Sequence, residues 1–337
     1  MQARGFICGC SGYRLSGEEK RFLSSSRPWG LILFSRNIES PAQLAALVGE
    51  FRSCVGWHAP VLVDQEGGRV QRLGPPHWPA YPPPAALGAL YLQDKDSGLQ
   101  AARLHSRLIG NDLARLGINV DCAPLLDLRF AQTHAVIGDR AYGETPEIVA
   151  ALGRAACEGL MDAGVLPVIK HIPGHGRATS DSHLHLPVVT ASKPDLSATD
   201  FAPFRRLADM PLAMTAHIVF TAYDAKRPAT LSADIIRQVI RGEIGFDGVL
   251  MSDDVSMRAL SGTIGARCEQ LFTAGCDLAL HCNGDGREMA QVAEASAPLA
   301  GEALRRTGAA LALDRRAEYD AEADRAALNG LLAGAVA

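Results

Sequence analysis

Short apolar segments rich in β-branched residues recur along the chain, each ending in polar side chains, with amphipathic stretches between them. They are residues 6–10 (FICGC), 30–35 (GLILFS), 60–66 (PVLVDQE), 117–124 (GINVDCAP), 165–171 (VLPVIKH), 211–217 (PLAMTAH), 248–253 (GVLMSD) and 276–282 (CDLALHC). Runs of this length and composition predict strands. The windows 41–56, 101–117 and 146–164 carry apolar residues at i, i+3, i+4 and i+7 and each ends at Gly, which predicts helices. Alternating strands and helices, with strands apolar almost throughout, predict a parallel sheet covered by helices, and eight strands close into a barrel with a filled interior. The expected fold is therefore α/β, a (β/α)8 TIM barrel, with residues 1–337 as one domain. A helical tail over about 301–337, rich in Ala, Leu, Arg and Glu, is expected to pack outside the barrel. An open doubly wound sheet is the alternative, but the first strand lacks the G-x-G-x-x-G turn of a dinucleotide site. The proline-rich residues 74–84 (GPPHWPAYPPP) cannot be helical throughout and predict a loop above the barrel.

The length of 337 residues suits one barrel of roughly 250 residues with insertions. The 33 basic and 37 acidic side chains give a net charge of −4, and no run of Lys or Arg is present to track a phosphate backbone, which argues against nucleic acid as a partner. The apolar run Phe6-Ile7-Cys8 is too short for a secretory core, and residues 29–38 turn polar after six positions, too few for a membrane span. The cysteines at 8, 10, 54, 122, 157, 268, 276 and 282 form no C-x-x-C pair and lie mostly in apolar segments, as reduced thiols in a cytoplasm would. Cys8 and Cys10 share a predicted strand and are expected to be barrel residues rather than a redox or metal pair.

Active sites of such barrels form at the C-terminal ends of the strands. Here those ends carry 64–72 (DQEGGRVQR), 136–143 (VIGDRAYG), Lys170-His171, His217, Asp253-Asp254, His281 and Asn283. Any one of these is readily a satisfied polar group; their convergence on one rim is harder to dismiss, because gathered charges cost desolvation and repulsion unless paired or liganded. The densest segment is 170–183 (KHIPGHGRATSDSH), where Pro173, Gly174 and Gly176 exclude a regular helix and predict a mobile loop. In extended backbone Asp181 and His183 would face the same side, so the carboxylate can hold and polarise the imidazole, a group suited to moving protons at neutral pH. Asp253, on a strand end, can act as nucleophile toward an anomeric carbon.

The stretch KHIPGHG, followed by four residues and Asp-Ser-His, resembles the signature of the β-N-acetylhexosaminidase branch of glycoside hydrolase family 3, Lys-His-(Phe or Ile)-Pro-Gly-(His or Leu)-Gly-x4-Asp-(Ser or Thr)-His. The resemblance extends through 64–72, 136–143 and 252–257. It implies Asp253, rather than Asp254, as nucleophile, His183 as acid/base and Asp181 as its support. It also implies Asp64, Arg72, Arg140, Lys170 and His171 as the sugar pocket, whose alternative role is ion pairing along the rim. The implied substrates are muropeptides of the GlcNAc-1,6-anhydroMurNAc type, cleaved in the cytoplasm during peptidoglycan recycling by the single-domain bacterial members. Exo-β-N-acetylglucosaminidase activity by a retaining mechanism, without metal or cofactor and in a monomer, is the expectation. Arg177 stands at a variable position of the signature and is expected to be solvated.

Three other readings compete. A metal-dependent hydrolase would draw on His171, His175, Asp181, His183 and His185, but Pro173 and Gly174 oppose the helix that would put the first two on one face, and no His-x-His pair ends the first strand. A non-catalytic muropeptide sensor would have little need of nucleophile and dyad together. A phosphorylase using the same covalent intermediate is favoured by a neutral His, which repels phosphate less than a carboxylate would.

Overall fold

The computed structural model describes residues 2–182, 185–313 and 315–334. Eight parallel strands close a barrel, with each strand beside its neighbours in sequence and the last beside the first. They are β1 (Arg4–Cys8), β2 (Pro28–Leu33), β3 (Val61–Val63), β4 (Val120–Asp121), β5 (Leu166–Ile172), β6 (Leu212–Thr215), β7 (Val249–Asp254) and β8 (Leu278–His281). All eight predicted segments contribute, and the open-sheet alternative is excluded.

Alternation along each strand divides the apolar residues between two cores. Ile7, Ile32, Leu62, Val120, Val168, Met214, Met251 and Leu280 point into the barrel and pack together. Phe6, Leu31, Val63, Ile169 and Leu250 point outward and pack against helices. The helices are set by local chemistry. In the helix Pro41–Val55, Ser40 accepts the amide of Gln43, Pro41 fills the first turn, and Gly56 closes the C-terminus at φ +74°. In the helix Pro146–Asp162, Thr145 and Pro146 repeat that start. The helix expected over 101–117 runs instead from Lys95 to Ala114, because Asp94 caps the Ser97 amide one and a half turns earlier. None of the described helices is long and apolar enough to cross a membrane.

Between β3 and the following helices, a short antiparallel hairpin (65–67 with 70–71) leads into the proline-rich loop. Gln65 and Gln71 staple that loop through bonds to the carbonyls of Leu73 and Pro79 and the amide of Tyr81. In the tail, the helix Gly301–Leu311 closes the N-terminal mouth of the barrel, its Ala310 joining the interior core. The helix Ala321–Gly334 lies farther out, where Asp324 accepts from Nε and one terminal nitrogen of Arg107, both at 2.6 Å.

Candidate active site

Continuing the inward register by two residues past each strand's last core position reaches the polar rim. Ile32 leads to Phe34, Leu62 to Asp64, Val168 to Lys170, Met251 to Asp253 and Leu280 to Cys282. These five residues line one cavity of about 230 Å³ at the C-terminal end of the barrel, together with Arg69, Arg72, Arg140, His171, His175, Ser182 and Asp254. The predicted Asp64, Arg72, Arg140, Lys170, His171 and Asp253 are thus brought together from separate strands and loops.

The charges alternate across the cavity wall. Arg72 meets Asp64 at 3.1 Å, Asp64 meets Lys170 at 3.1 Å, Lys170 meets Glu66 at 2.6 Å, and Glu66 receives both Nε and a terminal nitrogen of Arg140 at 2.8 and 2.7 Å. Three cations and two anions leave one positive charge in excess beside the Asp253 carboxylate. Burial alone would raise the carboxyl pKa of Glu66, yet Arg140 and Lys170 hold it well below the usual range. Asp64 is lowered in the same way by Lys170 and Arg72 against its burial, and Lys170 is raised by the two carboxylates although burial opposes it. Arg69 and Arg140 together hold the 135–140 turn: Arg69 donates to the carbonyls of Ala135 and Val136 and pairs with Asp139, while Arg140 donates to Val136.

The segment after β5 is anchored by Asp127. One carboxylate oxygen meets His171 Nδ1 at 2.7 Å, and the other accepts the backbone amides of His171 at 3.2 Å and His175 at 2.6 Å. His175 Nε2 lies 3.2 Å from Ser182 Oγ, and burial, with His171 adding to it, pushes the His175 imidazole down to about 4. Gly174 and Gly176, expected to lend mobility, answer a packing demand: a Cβ on Gly176 would lie 2.0 Å from the carbonyl oxygen of Leu128, and Gly174 adopts φ +141° against Asp200. Arg177 corrects an expectation. It is not solvated but pairs with Asp200 at 2.7 Å and lies over the Phe130 ring at 4.4 Å, clasping the base of the loop. Asp181 is half-buried one residue before the cavity-lining Ser182, and is not itself among the residues that line the cavity. His183 lies outside the described residues.

Two neighbouring carboxylates stand at the end of β7. Both oxygens of Asp254 are engaged, one by the amides of Ser256 and Cys282 and the other by the Ser256 hydroxyl. Asp253 accepts the Asp254 amide at 2.8 Å through one oxygen. His217 is buried outside the cavity wall, between Thr230 and the Asp254 carbonyl. His281, on the outward register of β8, turns to Glu288, which Asn283 also engages; neither lines the cavity. Among the described residues no cluster of His, Cys, Asp and Glu is arranged to hold a metal.

Glu66, Asp127 and Phe34 are site residues that sequence reasoning did not select, and His175 entered it only as a ligand in the competing metal reading. Phe34 was accessible by counting two positions from Ile32 on an apolar strand. Glu66 lies within a motif already singled out, but only the fold reveals its two cationic partners. Asp127 follows a strand of two residues in a long loop, and no local pattern marks it.

The model of the glycosyl hydrolase family 3 N-terminal domain matches residues 7–303. A β-hexosaminidase from Alkalilimnicola ehrlichii is 42% identical over 283 residues, which is 82% of this chain and 80% of that protein. The crystal structure of NagZ from Neisseria gonorrhoeae in complex with N-trifluoroacetyl-D-glucosamine is similar at a TM-score of 0.82 and 31% identity, covering 100% of this chain and 99% of that one. A family 3 β-N-acetylglucosaminidase from Paenibacillus sp. str. FPU-7 is similar at 0.81 and 32%; the match takes in 98% of this chain and 62% of that longer one.

Proposed function

The chain belongs to glycosyl hydrolase family 3, and from that premise we propose that its cavity removes a terminal N-acetylglucosamine from muropeptides with retention of configuration. The coarser activity is what its relatives carry in their names, β-hexosaminidase for the Alkalilimnicola protein and β-N-acetylglucosaminidase for the Paenibacillus structure. The observation that carries the finer reading is the sharing of one cavity by Asp253 with Arg72, Asp64, Lys170 and Arg140, with Glu66 pairing Lys170 and Arg140 from behind the cavity wall.

In this reading Asp253 attacks the anomeric carbon, expelling the aglycone oxygen and forming a covalent glycosyl-enzyme. His183, oriented by Asp181, gives a proton to the departing oxygen and then takes one from the water that releases the sugar. Arg72, Arg140 and Lys170 donate to hydroxyl and acetamido oxygens, while Asp64 accepts from hydroxyls and Asp127 fixes the ring of His171 against the sugar. The excess positive charge in the wall favours the ionised nucleophile before attack. Asp254, with both oxygens engaged by amides and a hydroxyl, shapes the turn that presents its neighbour. The muropeptide aglycone and a cytoplasmic setting rest on the motif resemblance, and a site built from one chain's strand ends is suited to a monomer.

The test is mass spectrometry of products from purified GlcNAc-1,6-anhydroMurNAc peptides in phosphate-free and phosphate-containing buffer. Free N-acetylglucosamine in both is the expected result. N-acetylglucosamine 1-phosphate in the second buffer would convert the enzyme to a phosphorylase, and no cleavage in either would overturn the substrate assignment.

A further inference from the structure

The geometry points to His175 as a positioning residue for the proposed proton transfer, acting through the bond by which it braces Ser182. The inference rests on the proposed glycosidase reading and deepens it. Its basis is a crossbar inside the loop after β5. On the near side the His175 amide donates to Asp127 at 2.6 Å, the carboxylate that also holds the ring and amide of His171. On the far side its ring reaches Ser182, which stands between Asp181 and His183 in the chain. The imidazole is only 3% exposed and its Nδ1 has no hydrogen-bond partner among the described residues. Placing the proton on Nε2 avoids a buried orphan N–H, so Nε2–H donates to Ser182 Oγ. The ring stays neutral at physiological pH, since burial and His171 push it down to about 4.

Two further contacts make this crossbar rigid at its base. Gly176 packs against the Leu128 carbonyl with no room for a side chain, and Arg177 is clasped by Asp200 and Phe130. A turn fixed at residues 171–177 thereby reaches across to residue 182 through one side chain. The family signature admits Leu as well as His at this position, and Leu fills the volume without the hydrogen bond.

Kinetics of His175→Leu, His175→Gln, Ser182→Ala and the His175→Leu/Ser182→Ala double variant, on a nitrophenyl N-acetylglucosaminide and on a disaccharide with a sugar leaving group, test the inference. One neutral hydrogen bond corresponds to roughly a five- to tenfold effect. His175→Leu and Ser182→Ala should each lower kcat on the disaccharide by about that factor more than they lower kcat on the nitrophenyl substrate. His175→Gln, which keeps a donor near the Nε2 position, should recover most of the loss. The double variant should be no worse than either single one, because both remove the same bond. Equal losses on the two substrates, or additive losses in the double variant, would overturn the inference even if His175→Leu proved unstable, since Ser182→Ala removes only a hydroxyl. A parent enzyme inactive on both substrates would overturn the functional reading and this inference with it; an active parent with unaffected variants would overturn the inference alone.

Discussion

Glu66 is buried between two cations, and its role separates a sugar-binding wall from a merely electrostatic one. With Glu66 ionised, Arg140 and Lys170 are held in fixed directions toward the cavity. Glu66→Gln should therefore weaken kcat/KM although the residue touches no part of the proposed reaction. Charge-assisted hydrogen bonds contribute about 1.5–3 kcal/mol each, so a fall of roughly ten- to hundredfold is expected, as it is for Ala at Arg72, Arg140 or Lys170. Steady-state kinetics checks this, and unchanged values across all four would remove the wall from the binding site. At Asp181 and His183 the expectation concerns leaving groups. Their Ala variants should lose far more activity on a disaccharide than on a nitrophenyl glycoside, whose phenolate departs with little protonation. Equal losses on both would make His183 a binding group. The gathering of Asp64, Arg72, Arg140, Lys170, His171 and Asp253 in one cavity was legible because a spaced motif and strand ends announced them. Asp127 and Glu66 take their meaning from partners 44 and 74 residues away in the chain, which no local pattern encodes.

At the level of elements, the strands were legible for a physical reason: a parallel barrel buries both faces of every strand, so each reads as a short apolar run. Helix starts were less so. The helix from Lys95 begins before its apolar periodicity does, through the Asp94 cap. The loop after β5 was misjudged most, since glycines read as freedom when they answer crowding. Gly176→Ala should force about 1–3 kcal/mol of overpacking against Leu128 and disturb the cavity with it. Thermal unfolding should show a lowered midpoint together with lost activity; an unchanged midpoint would mean that Leu128 yields easily. Arg177→Ala offers a second check. A solvated arginine would change stability by no more than about 0.5 kcal/mol. Removing the partner of Asp200, whose carboxyl burial already pushes up against the counter-pull of Arg177, should cost more.

Across the whole molecule, buried titratable groups set the response to acid. His105 is pushed down to about 4 by burial, with its Nε2 near the Pro82 carbonyl, and His175 is lowered to a similar value. Both imidazoles have lower pKa in the folded chain than the ordinary 6.5, so the unfolded chain binds protons first. Their contribution is present above about 6.5 and is lost as pH falls toward about 4. Asp64, Glu66 and Asp127, all lowered in the fold, extend the loss below the ordinary carboxylate range as their protonation releases the partners they hold. Asp121, raised by burial, acts in the opposite sense, stabilising in acid and losing that contribution as pH rises. The unfolding midpoint should therefore drop between pH 7 and 4.5, and His105→Phe should flatten part of that slope; an identical slope in the variant would remove His105 from the account. The assembly of the barrel has one chemical purpose in this reading, which is to aim Asp253 at an anomeric carbon inside a wall of alternating charge. Incubation with a 5-fluoro N-acetylglucosaminyl inactivator, followed by peptide mapping, tests this most directly. A covalent sugar on Asp253, absent from Asp253→Ala, is the predicted result; a sugar on Asp254, or turnover that persists undiminished in Asp253→Ala, would contradict it.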